Sequence, residues 1–284
     1  SWSFDSTIIA FRAYNPEPNT LGNIELFTAR TLPNTALRVS LFPNPDGEVR
    51  EFAWSPSRLL LAYTQNVVQE NPGRVDLFST QPFNQDNNQL SNTPGTGAII
   101  ATVTNFAWSP SSPLVAFVAE VDTVGINELL VADASAVFPT PVSLSRTLQD
   151  QGEVTDFEWA PNDFRIAYRA DQFLDQRFDL LTVVADGSRP PILVSKLTFD
   201  NSEVAEFSWA PDSSRIAYIS DQNTVGVFEL FTNNDVGTAP RQVSPDITTG
   251  KSVFNFSWAP GSSLIAYQSN QDDITKYELY TTLP

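Results

Sequence analysis

Apolar and polar positions along this chain repeat in blocks of 49 to 54 residues. Five segments, Val49–Trp54, Val103–Trp108, Val154–Trp159, Val204–Trp209 and Val253–Trp258, alternate apolar and polar side chains with the period of two of a half-buried strand. Each runs into Ser or Ala followed by Pro, then a short polar stretch that predicts a tight turn, with Pro fixing φ and Asp, Asn or Ser closing the bend. A second apolar run follows and ends in Ala plus an aromatic, as in "FAWSPSRLLLAY" from Phe52 and "FSWAPDSSRIAY" from Phe207, with Ala eight residues after Trp. The start of the chain, "WSFDSTIIAF", keeps Trp2 and Ala10 at the same spacing and is a sixth copy with Phe4 in place of Pro.

A third predicted strand carries one acid before Leu in every block: Glu25, Asp76, Glu128, Asp179, Glu229 and Glu278. A fourth, brief segment ends in an apolar residue plus Ser, at Val39-Ser40, Leu90-Ser91, Leu144-Ser145, Val194-Ser195 and Val243-Ser244. Five such endings serve six blocks, so the outer strand of the last block is missing, its place lying beyond Pro284 or before Ser1. The longest polar insert, "QPFNQDNNQLSNTPGTG" from Gln81, reads as an elongated loop around a short fourth strand.

Four short antiparallel strands cannot bury both faces of one sheet alone, so neighbouring sheets must pack against one another around an axis. The expectation is a single all-β domain over residues 1–284: a six-bladed β-propeller with approximate blades 1–47, 48–101, 102–151, 152–202, 203–250 and 251–284, the last lacking its outer strand. Two packed β-sandwiches would not need six tryptophans in one register. Trp2, Trp54, Trp108, Trp159, Trp209 and Trp258 are therefore expected as structural anchors between blades rather than as sugar-stacking platforms. The repeat, Trp, Ser or Ala, Pro, a polar turn, Ile-Ala-Tyr and a later acid-Leu-aromatic, resembles the WD40-like, TolB-type (PD40) propeller repeat over the whole chain. It departs from that pattern at Ser57, Asn162 and Gly261, where Asp is usual, and in the last blade. The resemblance implies a periplasmic, cell-surface or secreted propeller whose relatives act as protein-binding platforms or as gating domains of serine peptidases.

Composition narrows the chemistry. The chain has no Cys, His or Met, so thiolate and imidazole catalysis and the commonest transition-metal ligands are excluded, and no G-x-S-x-G elbow occurs. Sixteen Lys plus Arg against 33 Asp plus Glu give a formal charge of -17, which repels nucleic acid and anionic membranes and favours basic proteins or divalent cations. No run approaches a membrane span, and the chain begins at Ser1 rather than Met, which an exported, processed product explains and a truncated expression form explains equally. "TTGKS" from Thr248 has Pro245 at the first Gly position of a phosphate loop, and a strand follows where a helix is required.

Carboxylates remain. The third-strand acids recur in every block and are expected to satisfy a repeated structural hydrogen bond. Three residues before Trp stand Glu51, Asn105, Asp156, Glu206 and Asn255, a candidate ring of oxygens lining a central channel and suited to Ca²⁺, with pairing to neighbouring blades as the alternative. Otherwise no cofactor is expected. Asp171 and Asp221, with Asp122, Asp175, Asp272 and Asp273, form a candidate acidic loop rim for a protein partner, with a simply solvated rim as the alternative. Phe83, Phe138, Phe173 and Phe199 lie outside the repeat register and are candidate contact residues. These features point to a non-enzymatic, exported binding or scaffold propeller, a subunit or domain of a larger assembly. A regulatory domain of a hydrolase whose catalytic part lies elsewhere, and a carboxylate-dependent glycan-acting enzyme, are the alternatives.

Overall fold

The structure is a computed structural model that describes residues 1–15, 23–30, 35–41, 47–66, 74–91, 102–121, 125–145, 148 and 152–284. The described residues contain 22 strands, no helix, and six antiparallel sheets. The chain divides into two units, Ser1–Ser143 with sheets 1 to 3 and Leu144–Pro284 with sheets 4 to 6.

Sheets 2, 3, 4 and 5 are four-stranded meanders whose strands lie side by side in chain order. Sheet 5 is typical: Val204–Trp209, Ile216–Ser220, Glu229–Asn233 and Arg241–Gln242. Sheet 1 has three strands, and the place of its first strand is marked only by the isolated bridge from Trp2 to Ile9. Sheet 6 also has three, Val253–Trp258, Ile265–Ser269 and Glu278–Thr282, with no outer strand among the described residues.

The simple alternation read from the first strands is interrupted. All five carry a register shift, at Val49/Glu51, Val103/Asn105, Val154/Asp156, Val204/Glu206 and Val253/Asn255, so Arg50, Thr104, Thr155, Ala205 and Phe254 are the extra residues of β-bulges. A period-two pattern cannot announce a bulge, because the inserted residue leaves the apolar Val and Phe in place and changes only their partners.

Within each unit the sheets pack by unlike faces. Ala62, Leu77 and Leu90 of sheet 2 meet Val115 and Phe117 of sheet 3, and Ala167, Leu180 and Val194 of sheet 4 meet Ile216, Tyr218 and Phe231 of sheet 5. A small face thus receives a large one, which fills the space between sheets without overpacking. The aromatic faces are internally stacked, with Tyr218 and Phe231 centroids 5.5 Å apart and Tyr63 and Phe78 at the same separation.

The tryptophans link successive sheets through a polar atom as well as through area. Trp54, Trp108, Trp209 and Trp258 each donate Nε1–H to the carbonyl of the residue just before the previous tryptophan, namely Ser1, Ala53, Glu158 and Ser208, at 3.1 to 3.2 Å. Trp108, Trp159 and Trp209 are buried, and Trp54 and Trp258 are half-buried. Trp2 departs from the expected anchoring: it is 51% exposed.

The turns after the tryptophans are stitched in the same way. Asp163, Ser213 and Ser262 adopt φ near +60°, at 63°, 63° and 57°. The side chain one residue earlier accepts an N–H in two of these turns, Asn162 from Phe164 and Asp212 from Ser214, each at 3.0 Å. The hydroxyls of Ser213 and Ser262 in turn accept the N–H of Asn162 and Asp212 in the preceding sheet at 3.0 Å. "TTGKS" forms a turn with Gly250 at φ +87°, and Lys251 Nζ donates to the carbonyl of Gln271 at 2.8 Å before the strand at Val253 begins.

Candidate functional site

The third-strand acids occupy one structural niche. In sheet 4, Asp179 is buried and accepts from the Ser195 hydroxyl at 3.1 Å, while the same hydroxyl accepts the N–H of Leu180 at 3.0 Å. Asp76 and Ser91 repeat this clasp at 2.8 Å. Arg177 and Arg74 neutralise the two aspartates at 3.1 and 2.8 Å. Glu25 pairs with Arg38 at 3.1 Å, and Glu229 accepts from Gln242 and Asn223 at 2.9 and 2.8 Å. Burial, partly offset by Arg177 and Ser195, pushes the Asp179 carboxyl above its ordinary range. These acids hold the outer strand to the sheet, as their recurrence implied.

The five oxygen-bearing residues before the tryptophans sit directly after the bulges. Glu51 and Asn105 belong to the first unit, and Asp156, Glu206 and Asn255 to the second. Asp156 accepts from the N–H of Phe157 at 2.8 Å, and Asn255 donates to Gln268 at 3.0 Å. Burial raises the Glu206 carboxyl. Among the described residues no group of three or more acids stands close enough together to hold a metal ion. The nearby Glu158 is put to another use: its carboxylate accepts from Trp209 N–H at 3.0 Å and from the Ser208 hydroxyl at 3.2 Å. Burial nevertheless raises its carboxyl.

The proposed rim separates into two kinds of residue. Asp171 and Asp221 are buried, not exposed as the rim reading required. Asp221 accepts the N–H of Glu203 at 2.7 Å and of Gly226 at 2.8 Å, and Asp171 accepts those of Glu153 and Gln176 at 2.5 and 3.3 Å. Each carboxylate ties the loop after its second strand to the entry of its first strand, a backbone need that local sequence does not reveal. Asn270 takes the same place in sheet 6, accepting Ser252 N–H at 2.7 Å. Asp175 and Asp272 are exposed and Asp273 is half-exposed, its carboxyl held low by Thr275 and Lys276. Asp122 lies outside the described residues.

The aromatics outside the register also divide. Phe138, Phe173 and Phe199 are exposed, Phe138 most of all at 89%. Phe83 is half-buried beneath the Arg30 guanidinium at 4.8 Å, with its N–H bonded to Thr28, so it plugs the seam between sheets 1 and 2. Sequence reading missed the glutamines Gln172, Gln222 and Gln271, whose side-chain oxygens accept from Tyr168, Tyr218 and Tyr267 at 2.9 to 3.2 Å. The Tyr-x-x-x-Gln spacing in three blocks was the available signal.

A cleft of about 660 Å³ opens between sheets 2 and 3, lined in part by Arg58, Thr80, Asn84, Asp86 and Ser135. Among the described residues that line it, Asp86 is the one carboxylate.

No family model and no curated protein matches the chain. Solved structures do. Dipeptidyl peptidase 4 of Porphyromonas gingivalis aligns with a TM-score of 0.68 at 13% identity, over 99% of this chain and 44% of that one. The fold is of the propeller type. An oligogalacturonate lyase from Vibrio parahaemolyticus aligns at TM-score 0.53 and 10% identity, over 99% of this chain and 76% of its own. A puromycin-hydrolyzing peptidase of Mycobacterium tuberculosis gives TM-score 0.53 and 13% identity, over 93% of this chain and 42% of that one. The chain thus spans less than half the length of either peptidase. At these identities the likeness concerns the fold, the one the TolB-type repeat implied, and no residue is carried over from it.

Proposed function

We propose that the chain is a six-bladed propeller that serves outside the cytoplasm as a non-enzymatic binding platform, offering an acidic set of loops to a protein partner within a larger assembly. The loops between second and third strands in the second unit carry the reading, because each exposes apolar side chains and those of sheets 4 and 6 set them beside carboxylates that reach solvent. Phe173 is 44% exposed near Asp175, Val225 is 40% exposed on the next loop, and Ile274 and Tyr277 are 56% and 63% exposed beside Asp272 and Asp273. The strand order is the same in sheets 4, 5 and 6, so these loops lie at the same end of each sheet. Carboxylates alone solvate a surface, whereas apolar side chains held out of the core supply area that an interface buries. The net charge of -17 favours a basic partner and speeds its approach. The extracytoplasmic placement rests on the resemblance of the repeat.

The test is combined charge reversal, Asp175→Lys, Asp272→Lys and Asp273→Lys, against a partner recovered by cross-linking in the source cells. Affinity falls roughly tenfold or more and its salt dependence flattens, while the β-sheet circular dichroism of the parent is kept. Unchanged affinity would refute the reading. A second reading, a regulatory domain of a hydrolase, is favoured by end-to-end alignment with under half of two peptidases. Finding a hydrolase domain on the same polypeptide, with turnover altered by the triple charge reversal, would replace the first reading by this one.

A further inference from the structure

Three seams between neighbouring sheets are closed at the same point of the repeat, by the hydroxyl three residues after the third-strand acid. Thr182 donates to the Asp235 carbonyl at 2.7 Å, Ser79 donates to the Ala134 carbonyl at 3.2 Å, and Thr28 accepts the Phe83 N–H at 3.2 Å. Beside this bond, two of the seams are filled by the fold's own side chains. Between sheets 4 and 5, Arg165 is buried, paired with the Asp235 carboxylate at 2.8 Å and set over the Phe164 ring at 5.5 Å. Between sheets 1 and 2, Phe83 lies beneath the Arg30 guanidinium. The seam between sheets 2 and 3 has neither plug. Leu60 stands six residues after Trp54, where Arg165 follows Trp159, and Ala134 stands six after Glu128, where Asp235 follows Glu229. An aliphatic side chain and a methyl group thus replace a buried ion pair, and the cleft of about 660 Å³ opens at this seam.

The cleft is lined by polar groups that the fold does not use. Among the described residues none bonds or pairs with the side chains of Arg58, Gln81, Asp86 or Asn88, and Asn84, whose Oδ1 accepts the Asp86 N–H at 3.1 Å, keeps its NH₂ free. Arg58 and Asp86 carry opposite charges and are not paired with each other, so the lining is neutral as a whole. Leu59 and Val137 add exposed apolar surface, at 38% and 74%. Phe138, the next residue after Val137, is 89% exposed and adds an aromatic ring to the same turn. The volume falls within the range of about 300–1,000 Å³ that small-molecule sites occupy.

We propose that the cleft between sheets 2 and 3 binds a neutral saccharide, its hydroxyls bonded by Arg58, Asp86, Gln81 and Asn88 and the C–H face of one ring resting on Leu59 and Val137. A sugar hydroxyl both donates and accepts, which suits a mixed lining: the guanidinium only donates, the carboxylate only accepts, and the amides do both. Charge argues the same way. An anion would meet Asp86 and a chain of net charge -17, and a cation would meet Arg58, whereas a neutral ligand uses both groups without opposing either. The apolar side chains match the C–H face of a pyranose, which presents no hydroxyl there to desolvate. The site shares no residue with the acidic loops of the second unit, so this inference stands or falls apart from the platform reading.

Maltose, cellobiose and mannobiose are each titrated into the intact protein, with binding followed by saturation-transfer NMR and calorimetry. At least one binds, and its affinity is the same at low and high salt because the ligand carries no charge to screen. Asp86→Ala and Asn88→Ala each weaken binding roughly tenfold while keeping the β-sheet circular dichroism of the parent, since neither side chain has a partner in the fold. The double variant Leu60→Arg, Ala134→Asp installs the plug of sheets 4 and 5 and abolishes binding. The two single variants carry the test whether or not the double one folds. Failure of all three sugars to bind, unchanged affinity in both single variants, or full binding by a folded double variant would each overturn the proposal. A zwitterionic dipeptide, Ala-Leu, that binds more tightly than the sugars and loses affinity with salt would overturn it in favour of a peptide site.

Discussion

Ser195→Ala removes both halves of the clasp that closes sheet 4. The fully buried Leu180 loses the acceptor for its N–H at 3.0 Å, and Asp179 loses a donor at 3.1 Å while keeping Arg177. An orphaned buried N–H costs about 1–3 kcal/mol, and a lost bond to a charged acceptor about 1.5–3 kcal/mol, the lower end applying where another donor remains. The sum is about 3 kcal/mol. The assay is urea unfolding of the whole protein, with Ser195→Thr as the control that keeps a hydroxyl. Titration gives an internal check. Burial raises the Asp179 carboxyl above its ordinary value of 3.8, so its contribution to stability is complete below that pH and is lost as pH rises through the folded value. Removing Ser195, which pulls the carboxyl down, deepens this loss. The destabilisation is therefore larger at neutral pH than below 3.8. A variant within about 0.5 kcal/mol of the parent at neutral pH, or one whose deficit shrinks as pH rises, would refute the clasp as the source of the energy.

Three further outcomes follow from the same geometry. Leu230→Ala, at a fully buried site, costs about 2–5 kcal/mol in chemical denaturation, whereas Leu279→Ala, 76% exposed at the matching position of sheet 6, costs under about 0.5 kcal/mol. Asp221→Ala frees the Glu203 and Gly226 N–H groups and costs about 2–4 kcal/mol, while Asp221→Asn keeps an acceptor for Glu203, as Asn270 does for Ser252 in sheet 6, loses the one for Gly226 and costs about 1–2 kcal/mol. Glu158→Gln removes a carboxyl raised by burial, whose stabilising contribution is present below 4.5 and lost as pH rises, so the urea midpoint of the variant gains on the parent from acid to neutral pH. Parallel midpoints across that range would show that Glu158 does not titrate on folding.

Much of this protein was legible before any fold was known, because a repeat states its structure six times. The strand period, the Pro turns and the spacing from Trp to Ala fixed the all-β meander and the number of sheets, since each rests on contacts between residues close in sequence. The structural role of the recurring acids was readable in five of the six blocks, where the acid bonds the outer strand; Glu278 of the last block is exposed and accepts from the Tyr280 hydroxyl instead.

What the sequence could not state was how each polar group is used across space. Asp171 and Asp175 are both acids of one loop, yet the first is buried against the N–H groups of Glu153 and Gln176 and the second faces water. Only the approach of two chain segments to hydrogen-bonding distance separates them. The same holds for the bulges before the tryptophans, which change pairing partners without changing the apolar pattern. Leu230 and Leu279 follow the same local motif, yet an outer strand covers Leu230 and none among the described residues covers Leu279. Local spacing sets which side chains share a face of a strand, and packing between strands and sheets decides which of them remain free to bind.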